Sequence, residues 1–160
     1  MSSGIVIMWY VERKKIRLDK EIYAQGAYLV TICCHEKKKV FSNQQYKNSC
    51  VESLRLKALK VPVTVRCYCI MPDHIHVLVQ PTAGNLLDFI RAFKNGSSFA
   101  IRQAGFNGQV WQRSFHDHAL HNDETIETLV NYMVYNPVRA GLVNDWKLWP
   151  DTYINPELQF

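Results

Sequence analysis

Hydrophobic positions along the chain repeat with a period of two in some stretches and about 3.6 in others, and the switches mark out its elements. "GAYLVTICC" (Gly26 to Cys34) is β-branched and aromatic and predicts a strand. "SNQQYKNSCVESLRLKALK" (Ser42 to Lys60) predicts a helix capped by Ser42 or Asn43, with Tyr46, Cys50, Leu54 and Leu56 on its apolar side. "VPVTVRCYCIM" (Val61 to Met71) predicts a second strand. Pro72 and Asp73 then make a tight turn into a third, led by "HIHVLVQ", so the two form a hairpin. Asn85 to Gly105 predicts another helix, although Gly96 in its middle costs about 1 kcal/mol. Gln109 to Leu120 holds a short strand or an extended loop. The final helix runs from Glu124 to about Asn136, with Asn122 or Asp123 as its cap and Glu124 and Glu127 in its first turn. Pro137 ends that helix or kinks it.

The order is strand, helix, strand, strand, helix, strand or loop, helix. That is the β-α-β-β-α-β succession of a ferredoxin-like (RRM-like) antiparallel sheet with helices packed on it and a final helix added, an α+β fold. With 160 residues the chain suits one domain, residues 1–160, with a basic arm at 1–24 and a tail at 145–160. No apolar run approaches the ~20 residues of a membrane span. "GIVIMWYVERKK" is too short for a secretory signal and carries its charge on the wrong side, so the expected location is the cytoplasm. None of the five cysteines forms a CxxC pair, and they read as small buried hydrophobes. A net charge of +5 favours a polyanionic partner, and the basic clusters at Glu12 to Lys20 and Lys37 to Lys39 flank the first strand.

Candidate chemistry starts at "MPDHIHVLVQ". His74 and His76 are two apart on a strand and share a face, with Leu78 and Gln80 beyond them. Two adjacent imidazoles make half a divalent-metal site, or an ordinary structural pair. In the final helix Ile126, Leu129, Val130 and Met133 define the buried stripe. At about 100° per residue Tyr132 and Asn136 fall together on its edge, one turn apart, while Tyr135 projects roughly opposite the stripe. A phenol and a neutral oxygen ligand would thus reach the same spot. The alternative is a boundary tyrosine and a helix-capping asparagine.

The stretches "MPDHIHVLV", "VWQRSFHDHAL" and "LVNYMVYNPVRAGLV", in this order and spacing, resemble the REP-associated tyrosine transposases, a branch of the single-tyrosine HUH transposases related to small insertion-sequence enzymes. "IRLDKEIYAQGAYLVTICCHEKKKVF" resembles the start of that family, so the likeness extends from about Arg13 to Trp149. It implies that His74 and His76 bind a divalent metal, Mg²⁺ or Mn²⁺, that Asn136 is the third ligand, and that Tyr132 is the nucleophile. The implied reaction is cleavage and rejoining of single-stranded DNA at stem-loop repeats through a 5′-phosphotyrosine bond. Histidine suits Mn²⁺ better than Mg²⁺, so Mn²⁺ is expected to be the better activator. The chain departs from the family in having Asp73 where Asn is common, and "WKLWPDTY" where a serine-rich tail is usual.

For DNA binding the expected contacts are Arg13, Lys14, Lys15 and Arg17 in the arm, and Arg113 beside Trp111. Trp111, Phe115 and Tyr28 could stack on bases, although a core role is the commoner fate of such residues. His116 is expected to be exposed and His118 to come no closer than the margin of the site. The protein is expected to act as a monomer or a homodimer. Two other functions fit parts of the pattern: a non-catalytic RRM-like nucleic-acid-binding module, and a metal hydrolase using water.

Overall fold

Strand alternation divides β3 (His74–Pro81) between two apolar environments, so both faces of the sheet are covered. In the computed structural model, which describes residues 22–158, β3 is the middle of five strands in the order β4-β1-β3-β2-β5. Every neighbouring pair is antiparallel. The others are β1 (Tyr28–Cys33), β2 (Val63–Met71), β4 (His116–Ala119) and β5 (Thr152–Ile154). The first four strands have the ferredoxin-like order expected of the sequence. The arm positions Arg13, Lys14, Lys15 and Arg17 lie outside the described residues.

One face of the sheet carries Val30, Ile32, Ile70, Ile75, Val77 and Val79. It is covered by α1 (Gln44–Lys60) through Cys50 and Leu54, and by α2 (Leu86–Gln103) through Phe89, Ile90 and Phe93. Asn43 caps α1, accepting from the backbone N–H groups of Gln45 and Tyr46, and Asn85 caps α2 through that of Leu87. Leu56 is 47% exposed rather than part of the apolar side, because the buried row of α1 advances by four from Cys50 to Leu54. Gly96 does not interrupt α2. A Cβ there would lie 2.6 Å from Lys57 Cε, so the missing side chain makes room for α1's lysine stem.

The opposite face carries Leu29, Cys67 and Leu78 and is covered by α3 (Ile126–Val134) through Leu129, Val130, Met133 and Val134. The cap of α3 is Thr125, whose hydroxyl accepts from Thr128 N–H, and not Asn122 or Asp123. Glu124 is kept out of the helix because its carboxylate accepts from His121 N–H and bonds His118 Nε2. At the far end α3 stops at Tyr135, and a one-turn helix α4 (Asn136–Arg139) begins with Pro137 inside it. The proline therefore kinks the chain rather than ending helical structure.

The segments left open by the sequence pattern have definite places. Trp111 bridges to Cys34 in an isolated β pairing, packs against Phe41 and Phe93, and donates its indole N–H to Ser97 Oγ at 2.9 Å. The tail completes the sheet: β5 pairs with Cys67–Cys69, and Trp149 donates to the Ile70 carbonyl at 2.9 Å. Lys47 and Asp151 form a 2.7 Å ion pair, with side chains only 15% and 14% exposed, that ties α1 to the tail. An otherwise open edge of β2 is thereby closed. All five cysteines are free and buried, as their composition suggested.

Leu78 is fully buried under α3. Leu78→Ala is expected to cost about 2–5 kcal/mol in urea unfolding, whereas Leu56→Ala should stay within about 0.5 kcal/mol. Equal effects would show that α3 does not seal this face.

Candidate active site

His74 and His76 open β3 on the face that α3 covers. Each lies opposite a β1 residue of the same face, His74 opposite Cys33 and His76 opposite Thr31. The Pro72–Asp73 turn places the Asp73 carboxylate 2.6 Å from His74 Nδ1, and Thr31 Oγ1 lies 2.8 Å from His76 Nδ1. With both Nδ1 atoms occupied, the Nε2 atoms converge to 3.1 Å. The Asp73 carboxylate can only accept, so His74 carries its proton on Nδ1 and directs the Nε2 lone pair at His76. The His76 Nε2 proton then bridges the pair, with Thr31 donating to Nδ1. In the other His76 tautomer the proton sits on Nδ1 and is donated to Thr31 Oγ1, which bares both Nε2 lone pairs. Two nitrogen ligands at right angles and about 2.1 Å from one ion would be about 3.0 Å apart, so the donor set suits a divalent ion. Asp73 serves such a site at one remove, by orienting His74.

His76 is 8% exposed, and burial, His74, Arg139 and Lys37 together bring its pKa down to about 3. It is therefore a neutral imidazole at physiological pH, the form that ligates metals. Among the described residues no three His, Cys, Asp or Glu side chains come together to hold a metal.

Tyr132 and Asn136 come from the α3–α4 junction. Tyr132 packs partly buried against the Leu78 cluster, on the histidine face. Pro137 has no N–H for the Met133 carbonyl, and Asn136 Nδ2 donates there instead at 3.1 Å. That bond fixes the amide, and Arg139 Nη2 donates to its oxygen at 3.0 Å. Arg139 also donates to the Tyr132 carbonyl and lies 4.4 Å from the centre of the Tyr132 ring. Its charge reaches His76 and Cys69. Arg139 thus links the tyrosine and the asparagine. Tyr135 is 45% exposed, at the break between the helices.

Other expected contacts fare differently. Arg113 is exposed in the connection before β4, and its backbone carbonyl accepts from Lys94. Trp111 and Tyr28 are core residues, and Phe115 packs against the same core. His116 is exposed, while His118 is tied to Glu124 at 2.8 Å. Sequence reasoning missed Thr31 and Arg139, and named Lys37 only as part of the basic cluster Lys37 to Lys39. Lys37 Nζ lies 3.2 Å from Cys33 Sγ and its charge also reaches His76. It is delivered by two consecutive non-glycine residues with left-handed backbone, Glu36 and Lys37, each at φ 54°, a strain of roughly 1–2 kcal/mol per residue.

The family model described as "Transposase IS200 like" matches residues 22–136, from before β1 through Asn136. The chain belongs to the IS200-like transposase family. Among this transposase's relatives, a Haemophilus influenzae protein provisionally named a REP-associated tyrosine transposase is 29% identical over 137 residues, covering 78% of this chain and 77% of that one. The REP-associated tyrosine transposase of Escherichia coli K12 is 24% identical over 129 residues, covering 78% and 74%. Among solved structures, a REP-associated tyrosine transposase bound to a REP hairpin superposes with a TM-score of 0.72 at 19% identity, covering 87% of this chain and 81% of that one. At this identity the likeness shows a shared fold.

The depressed pKa of His76 has a measurable sign. The unfolded chain takes up a proton below about pH 6.5, which the folded transposase refuses until near pH 3. The stability contributed by this difference is complete above the unfolded value and is lost as pH falls through the window. In metal-free buffer His76→Gln should therefore lose stability less steeply between pH 7 and 4, by up to about 1.4 kcal/mol per pH unit. Parallel slopes for the two proteins would contradict a neutral, buried His76.

Proposed function

We propose that this transposase cuts and rejoins single-stranded DNA beside a stem-loop, using Tyr132 as its nucleophile. The carrying observation is that α3 packs on the histidine face, so Tyr132, Asn136 and the histidine pair belong to one side of the sheet. In the reaction Tyr132 Oη bonds to the phosphorus as the bond to O3′ breaks. The phenolic proton passes to solvent, and the released 3′-oxygen takes up a proton. The product is a 5′-phosphotyrosine bond and a free 3′-hydroxyl. Attack by the 3′-hydroxyl of another strand restores the tyrosine and joins the DNA without a nucleotide cofactor.

A divalent ion, Mg²⁺ or Mn²⁺, held by His74, His76 and the Asn136 oxygen would supply Lewis-acid stabilisation of charge on the phosphate oxygens. Asp73 and Thr31 hold the imidazoles in the donor orientation, and Met133 holds the amide. The stem-loop partner fits the hairpin named for the solved relative and the excess of +5 in charge. The arm residues Arg13, Lys14, Lys15 and Arg17 supply phosphate contacts in this reading, with Arg113 beside them. In this reading the place of action is the cytoplasm. No helix among the described residues is long and apolar enough to cross a membrane. The unit is a monomer or a homodimer. A non-catalytic RRM-like module fits less well, because such modules present an open sheet face to bases, and here helices cover both faces.

The test uses end-labelled single-stranded hairpins from the gene's own flanks. Wild type with Mn²⁺ should give a covalent protein–DNA band on a denaturing gel, retained in Tyr135→Phe and absent from Tyr132→Phe. Cleavage surviving Tyr132→Phe without a covalent band would transfer the reaction to water. Mn²⁺ should outperform Mg²⁺ at equal concentration; the reverse order would contradict the histidine ligation. Hairpin affinity should also drop steeply with salt, and constant affinity over a fourfold salt range would exclude a phosphate-dominated interface.

A further inference from the structure

Two exposed cations flank the groups of the site, Arg139 against Tyr132 and Asn136 and Lys37 against Cys33, the strand neighbour of His74. Arg139 comes from α4, its guanidinium 4.4 Å from the centre of the Tyr132 ring. Its hydrogen bonds go to neutral acceptors, the Tyr132 carbonyl and Asn136 Oδ1. Among the described residues no carboxylate forms a salt bridge with it. A guanidinium has five donors, so most of its fork remains for a further acceptor. Lys37 comes from the β1 side. Its ammonium is set at Cys33 Sγ, and Cys33 pairs directly with His74. The strained left-handed pair Glu36–Lys37 is a feature typical of functional segments.

We propose that Arg139 and Lys37 clamp one phosphate of the DNA strand over the histidine pair, Arg139 from the tyrosine side and Lys37 from the Cys33 side. The inference rests on the reading of the site as a DNA-cleaving centre, and adds the groups that hold the phosphate's non-bridging oxygens. Arg139 suits the task because a planar fork can bind phosphate in bidentate fashion while its stem stays against Tyr132. Lys37 acts as a point charge on the other side.

The test is a methylphosphonate scan, in which each linkage of the hairpin oligonucleotide is neutralised singly and binding is measured in a Tyr132→Phe background. One linkage should weaken binding about tenfold, and the same substitution should cost less than twofold when Arg139→Gln and Lys37→Gln are added. Arg139→Lys should restore part of that penalty. In the otherwise native protein, adduct formation should fall at least tenfold for each Gln variant. Penalties that are unchanged at every linkage in the double variant would overturn the clamp. So would a loss confined to Mn²⁺ affinity, which would make Arg139 only a support for Asn136. Absence of any adduct from wild type would strike the phosphotyrosine reading alone, since the scan reads binding and still decides whether the two cations hold a phosphate.

Discussion

Everything at the site depends on α3 lying against the histidine face of the sheet. Leu129, Val130, Met133 and Val134 bury themselves against Leu29, Cys67 and Leu78, and Leu78 is two residues beyond His76 on the same strand. A sheet of this order with both helices on one side would leave its other face open. Here the apolar stripe of α3 closes that face except at the top of β3, where the stripe gives way to histidine. The hydrophobic contact fixes the helix, the helix fixes Tyr132 and Asn136, and Pro137 then turns the chain so that Arg139 folds back over both.

The electrostatics of the face follow from its burial. A buried histidine next to another histidine and two cations has every reason to remain uncharged. The sheet surface there offers lone pairs rather than positive charge, while the positive charge is carried by Arg139 and Lys37 at its margins. Such a division suits a polyanion whose reacting phosphate must be drawn in without being trapped by an ion pair at the ligating atoms. Asp73, the acidic side chain beside the pair, is absorbed by His74 Nδ1.

The pair of histidines and the Tyr132–Asn136 edge were legible because each rests on a single local period, two along a strand and 3.6 along a helix. The same periods put Tyr135 outside the buried stripe, where it is 45% exposed. The family resemblance identified from those stretches agrees with the family match over residues 22–136. Thr31 was not legible, since its bond to His76 depends on the β1–β3 register between residues 45 apart. Arg139 lies beyond a proline kink, where helical periodicity no longer says which way a side chain points. Lys37 is aimed by positive φ at two non-glycine residues, which carry no sequence signal. The cap of α3 was misplaced because Glu124 looked like a first-turn acid, whereas a histidine on β4 claims it.

The most direct test of whether helix and strand build one site is Mn²⁺ affinity, measured by calorimetry on the wild type, His76→Ala and Asn136→Ala. A single site predicts that both variants weaken binding by at least about tenfold, as removal of groups around a metal commonly does. Loss in His76→Ala with unchanged affinity in Asn136→Ala would mean that the helix contributes nothing to the ion, and the convergence of α3 with the histidine pair would have to be read as packing alone.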